Sequence, residues 1–140
     1  RRLPEDQEFG ATYHSTIDDL LPHCDFLSLH CPSTPETRGM VNRNFIAKLP
    51  DGAIIVNTAR GDIVNDKDLI AALKSGKLTA AGLDVFAGEP NIEPTYRDLP
   101  NTFLLPHLGS ATVETRNAMG FRALDNIDAF IEERVIPFKV

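Results

Sequence analysis

Residues 53–56, Ala-Ile-Ile-Val, form a short run rich in β-branched side chains that stops abruptly at Asn57-Thr58-Ala59-Arg60-Gly61. A run of this kind, bounded by turn residues, predicts a strand buried on both faces of a parallel sheet. In open α/β sheets, ligands bind just beyond the carboxyl ends of the strands. An arginine on such a loop, with a glycine behind it, offers a planar fork of donors to a carboxylate or phosphate. Taken alone, the stretch fits a solvated surface arginine equally well.

The neighbouring segments alternate in the same way. Residues 10–14 and 26–30 read as strands, and between them Thr16 predicts a helix cap three residues before Asp19. Pro22 ends that helix early. Two prolines and three hydroxyl residues make 31–37 a loop. A short helix over 42–49 buries Phe45, Ile46 and Leu49, and Pro50-Asp51-Gly52 turns the chain into the central run. Beyond Gly61, Asn65 or Asp66 caps a helix through Leu73 that Gly76 closes, followed by a strand over 78–83. Residues 91–100 read as irregular and 102–105 as a last strand. From Thr112 to about Glu133 one long helix repeats Ala118, Phe121, Leu124, Ile127, Phe130 and Ile131 at helical spacing, a stripe expected to serve core and interdomain packing. The tail 135–140 is expected to be extended. Strands and helices alternating at short spacing imply right-handed βαβ units: an α/β fold with a Rossmann-like, doubly wound parallel sheet. The G-x-G-x-x-G turn that opens a dinucleotide-binding sheet is absent from these residues.

A chain of 140 residues is sized for one core. Its net charge of -6 argues against nucleic acid or an anionic membrane as partner. No apolar run is long enough to span a bilayer, and Arg1-Arg2-Leu3-Pro4-Glu5-Asp6 lacks the apolar core of a signal peptide. Two cysteines, Cys24 and Cys31, point to a reducing compartment, with the cytoplasm as the expected location. The repeat of His23-Cys24 and His30-Cys31 raises a metal site, but the spacing is wider than structural zinc motifs use.

Three strand ends carry chemistry: Arg60 in the first, Asp84 and Glu89 in Gly82-Leu83-Asp84-Val85-Phe86-Ala87-Gly88-Glu89-Pro90, and His107 in Leu105-Pro106-His107-Leu108-Gly109-Ser110. Parallel strands align their carboxyl ends, so these groups can converge in one crevice. Arg60 would bind a carboxylate and polarise the adjacent carbonyl. His107 would give a proton to the developing alkoxide, and Glu89 would fix its tautomer and hold its acid form near neutrality. These are the parts needed to move a hydride onto an α-keto acid.

With residues 25–37, 56–64, 80–90 and 105–112 in this order, the chain resembles the NAD(P)-dependent D-2-hydroxyacid dehydrogenases, most closely their glyoxylate and hydroxypyruvate reductase branch. The resemblance implies that Arg60, Glu89 and His107 are catalytic and that Asp84 contacts the nicotinamide carboxamide. It places Thr58 and Ala59 near the nicotinamide ribose, Cys31 and Pro32 beside the adenosine half, and Gly109 beside the nicotinamide; Thr37 joins the cofactor-binding set, together with Arg60 and His107. Cys31 reads as a small hydrophobe rather than a nucleophile. The resemblance also implies a 2-keto or 2-hydroxy acid as substrate and a homodimer.

Residues 1–110 would then be part of an NAD(P)-binding domain, and 111–140 a helix and tail returning toward a substrate domain. The chain reads as a fragment, inactive alone, of a longer enzyme. A non-catalytic fragment or dimerisation module is the competing reading; a transcriptional corepressor on the same scaffold would need a peptide-binding surface for which no sequence signal exists. The resemblance puts Arg1 and Arg2 just after the family's second strand, close to the adenosine ribose, where arginines suit a 2′-phosphate, favouring NADP over NAD. Replacing both by alanine is expected to raise the KM for NADPH much more than that for NADH; equal changes would contradict the assignment.

Overall fold

The structure, a computed structural model, describes residues 4–138. The apolar runs become β1 (Phe26–Leu29), β2 (Ala53–Asn57), β3 (Leu78–Leu83) and β4 (Thr102–Leu104), all parallel and side by side in that order. Between them lie α1 (Ile17–Leu20, ahead of β1), α2 (Arg43–Ala47) and α3 (Asp66–Ser75); α4 (Val113–Ile131) follows β4. Each helix starts where a side-chain oxygen meets its orphan N–H groups. Thr16 accepts from Asp19, Asn42 from Asn44 and Phe45, Asn65 from Asp68, and Thr112 from Thr115. Gly76 closes α3 at φ 76°, in the left-handed region that a side chain would strain.

The chain divides into two compact units, one ending at Pro106 and the other beginning at His107. In the first, the strands lie in sequential order, so crossovers of one hand put α2 and α3 on the same face, where they pack together. Phe45, Ile46, Leu69, Ala72 and Leu73 there cover Leu27, Leu29, Ile55, Leu78 and Leu83. The opposite face carries the rows Phe26–Ile54–Ala80 and Ser28–Val56–Gly82–Phe103, in which Phe26 is 74% and Phe103 68% exposed. So β2 is fully buried on one face only, against the two expected, because both crossover helices lie on the same side.

Residues 10–14 form no strand, since no ladder partner exists for them among the described residues and a strand without one leaves its backbone unpaired. Within 91–100 the chain is not wholly irregular: Pro94–Asp98 is a 3-10 helix, begun by the Glu93 carboxylate, which accepts from the Thr95 backbone and hydroxyl. In the second unit, α4 runs as its spacing predicts, but none of the stripe is buried: Ala118, Phe121, Leu124, Ile127, Phe130 and Ile131 are all exposed, and the helix instead buries Ala129. The tail, expected to be extended, turns back on α4. The Asn126 side-chain amide bonds both backbone groups of Phe138, at 3.1 and 3.0 Å, and the Arg122 guanidinium sits 4.8 Å from the centre of the Phe138 ring.

Two contacts fix the segment that follows β3. The buried Tyr96 hydroxyl donates to the Asp66 carboxylate at 2.8 Å, tying the 3-10 helix to the first residue of α3. Burial pushes the Tyr96 phenol far above its ordinary range. Burial also raises the Asp66 carboxyl, against the opposing effect of the Tyr96 bond. Farther back, Gly61 lies against the Phe86–Ala87 peptide: a Cβ on Gly61 would stand 1.9 Å from the Phe86 carbonyl carbon and 2.3 Å from the Ala87 nitrogen. Backbone meets backbone there, and neither side can yield.

The Tyr96 bond favours the ionised Asp66, so its contribution is present at neutral pH and fades as pH falls through the carboxyl's range. Tyr96→Phe is expected to cost about 1–2 kcal/mol at neutral pH, with a smaller deficit in acid; denaturant unfolding at several pH values reads it, and a pH-independent deficit would contradict this account. Gly61→Ala is expected to lower stability by more than about 2 kcal/mol. Gly82→Ala, whose Cβ would meet only Val56 Cγ2 at 3.8 Å, is expected to stay within about 1 kcal/mol of wild type.

Candidate functional site

Beyond the carboxyl ends of β1 and β2 lies a cavity of about 490 Å³. The loop after β1 gives it His30, Cys31, Pro32 and Ser33, and the loop after β2 gives it Thr58, Ala59 and Arg60. Five residues read from the sequence as cofactor-binding (Cys31, Pro32, Thr58, Ala59 and Arg60) thus share one wall system. His30 and Ser33 were not among them. Their position, at a strand end before a proline-rich loop, was the available signal.

Each loop is held by its own polar side chains. Thr37 donates its hydroxyl to the Pro32 carbonyl at 2.7 Å and accepts the Thr34 N–H at 2.8 Å, which folds 32–37 into a compact turn. Thr37 lies outside the cavity lining. Ser33 donates to the Asp62 carboxylate at 2.6 Å, and Arg38 pairs with that carboxylate at 3.2 Å, so the first loop is anchored just behind Arg60-Gly61. Both pairs are part-exposed and act as loop ties rather than large stabilisers.

The second loop depends on Asn57, a buried residue that the sequence reading passed over. Its Oδ1 accepts the Ala59 N–H at 3.0 Å, and its Nδ2 donates to the Arg60 carbonyl at 2.9 Å. Asn57's own backbone carbonyl accepts the Asp84 N–H at 3.0 Å. Arg60 emerges exposed, with Nη1 donating to the Ala59 carbonyl at 2.6 Å. Asn directly after an apolar strand, two residues before a turn N–H, is the pattern of an Asx turn and could have marked this clamp.

The first unit therefore brings together the Arg60 loop and the loop from Asp84 to Glu89. Asp84 is buried beside the end of β3. Glu89 is exposed, and its Oε1 accepts the Phe86 N–H at 2.7 Å, closing a tight turn. His107 and Gly109 belong to the second unit. His107 has φ 58°, a left-handed backbone that costs a side-chain-bearing residue about 1–2 kcal/mol. Residues held this way concentrate at functional sites. Arg1 and Arg2 lie outside the described residues. Among the described residues, no three His, Cys, Asp or Glu groups are placed to hold a metal ion.

In chemical terms the cavity has apolar walls in Cys31, Pro32 and Ala59, hydroxyls in Ser33 and Thr58, and a guanidinium at its edge. That set suits a ligand with a flat ring, sugar hydroxyls and an anionic group.

A family model described as the NAD binding domain of D-isomer specific 2-hydroxyacid dehydrogenases matches residues 1–109. The glycerate dehydrogenase of Hyphomicrobium methylovorum is 54% identical over 125 residues, which cover 89% of this chain and 39% of that protein. A solved glyoxylate reductase from Paecilomyes thermophila superposes with a TM-score of 0.90 at 42% identity, over 94% of this chain and 40% of the other. An NADPH-dependent glyoxylate/hydroxypyruvate reductase from Sinorhizobium meliloti, solved with NADP and malonate, gives a TM-score of 0.85 at 37% identity, over 94% and 41%. The chain spans about two fifths of the length of these relatives. With a family match over most of its length and a close superposition on solved relatives, the chain belongs to the D-isomer specific 2-hydroxyacid dehydrogenases, of which it carries NAD-binding-domain sequence.

Proposed function

We propose that the protein reduces a small 2-keto acid, glyoxylate or hydroxypyruvate, to the D-2-hydroxy acid with NADPH or NADH, and that this chain is part of a longer enzyme. The observation that carries the reading is Arg60, presented on a clamped loop at the strand ends beside a cavity suited to a dinucleotide. Homology to glycerate dehydrogenase and to glyoxylate reductases supports the substrate class. The apolar sheet face bearing Phe26 and Phe103 supports a longer polypeptide, since a covering layer would remove it from water.

In this reading Arg60 binds the keto-acid carboxylate through its two-pronged donor edge and polarises the neighbouring carbonyl. A reduced nicotinamide bound here would supply the hydride for the carbonyl carbon. His107 gives its proton to the carbonyl oxygen as that hydride arrives, so the product leaves as a neutral alcohol and the imidazole is left to be reprotonated. Glu89 orients the imidazole. Asp84 would hold the nicotinamide carboxamide, and Thr58, Ala59, Cys31, Pro32, Thr37 and Gly109 would line the rest of the cofactor. Arg1 and Arg2 favour NADP, and a relative solved with NADP supports that preference. Residues 111–140 lead toward a substrate domain, the enzyme works in the cytoplasm, and it acts as a homodimer. The apolar stripe left exposed on α4 favours the competing reading, a dimerisation or interaction module without turnover.

Oxidation of NADPH by the complete gene product with glyoxylate or hydroxypyruvate tests the reading. Arg60→Lys, which loses the fork but keeps the charge, is expected to lower kcat/KM by about 100-fold or more. His107→Asn is expected to lower kcat by about 10²–10⁴-fold. Loss of neither activity, or no turnover by the wild type, would leave the interaction module in front.

A further inference from the structure

We propose that the Asn57 side chain is a positioning residue that sets where the Arg60 fork stands relative to Asp84; this rests on the reductase reading of Arg60. Asn57 is the last residue of β2 and occupies a core-facing position, the same face as Ala53 and Ile55. Its register partners, Leu29 and Leu83, are buried and apolar. An aliphatic side chain would continue that pattern and pack without desolvating an amide. Both ends of the amide are instead used by one loop, the oxygen accepting from Ala59 and the nitrogen donating to Arg60, while the Asn57 backbone carbonyl takes the Asp84 N–H. One residue thereby joins the backbone of the arginine to the backbone of the aspartate on the neighbouring strand end. One step on, Gly61 meets the Phe86–Ala87 peptide in direct backbone contact. The loop is pinned at both sides of Arg60, so the guanidinium swings from a fixed base. A base displaced by a fraction of an ångström moves the fork off the plane of a bound carboxylate, and alignment of this kind governs rate and grip together.

Asn57→Asp is the diagnostic variant. It keeps the size and the acceptor for Ala59 but turns the donor into a second acceptor facing the Arg60 carbonyl, now 2.9 Å from Nδ2. In the complete gene product, the KM for the keto acid is expected to rise roughly tenfold or more at neutral pH, with the KM for NADPH within about twofold of wild type. Protonating the new carboxyl restores a donor, so the ratio of variant to wild-type keto-acid KM is expected to fall as pH is lowered, which lost packing would not produce. Asn57→Ser, whose hydroxyl is too short to reach Arg60, reads the same KM split if the aspartate variant does not fold. A keto-acid KM within about threefold of wild type, with only the melting temperature lowered, would overturn the proposal. If the wild-type enzyme turns over no keto acid, the reductase reading falls, and backbone amide exchange across 58–61 in Asn57→Ser then decides: roughly tenfold faster exchange upholds the clamp, and unchanged exchange overturns it.

Discussion

A buried amide at the end of β2 is the constraint on which the site depends. Strands end where their hydrogen-bond ladder ends, and the residues beyond must find other partners for their backbone groups. Here the Asn57 side chain takes both roles at once, as acceptor for Ala59 and donor to Arg60. The chain then turns sharply enough for Gly61 to reach the Phe86–Ala87 peptide and for Asp62 to anchor Ser33 and Arg38. Three loops that are far apart in sequence are thus held by short-range bonds radiating from one strand end. The pairing of Val41 with Val64 extends the same lacing to the start of α3.

Much of this architecture was legible because its signals are local. Thr16, Asn42, Asn65 and Thr112 cap helices through bonds to residues two or three positions on, and Gly76 ends one through its own backbone, so a single sequence displays them. Arg60, Asp84, Glu89 and His107 were legible as polar residues in the loops beyond strand ends. What was hidden depends on partners. Residues 10–14 have strand composition but no neighbour to pair with among the described residues. The 3-10 helix at Pro94–Asp98 rests on Tyr96 reaching Asp66, 30 positions away. Asn57 looked like the stop of a strand, and its second task shows only when the loop beyond it is seen to close on the side chain.

Coverage of the sheet followed from topology rather than composition. Ile54 and Val56 are as apolar as Ile55, yet only Ile55 is fully buried, because the sequential strand order sends every crossover to the same side. Alternation of burial along β2 therefore reports where the helices go, and the β-branched run could not reveal it. The exposed α4 stripe makes the same point for helices: periodicity identifies an apolar face but not what lies against it.

Tyr96 has a consequence for how this part of the molecule is observed. The chain contains two tyrosines and no tryptophan, so its near-ultraviolet signature rests on Tyr13 and Tyr96. Tyr13 is half-exposed, whereas Tyr96 is enclosed with its hydroxyl committed to Asp66. In the native chain Tyr96 remains a neutral phenol where an unfolded tyrosine has already become phenolate. Alkali thus draws on the unfolded form, which alone gives up that proton, and tyrosinate absorbance from Tyr96 becomes a direct optical record of this loop letting go of α3.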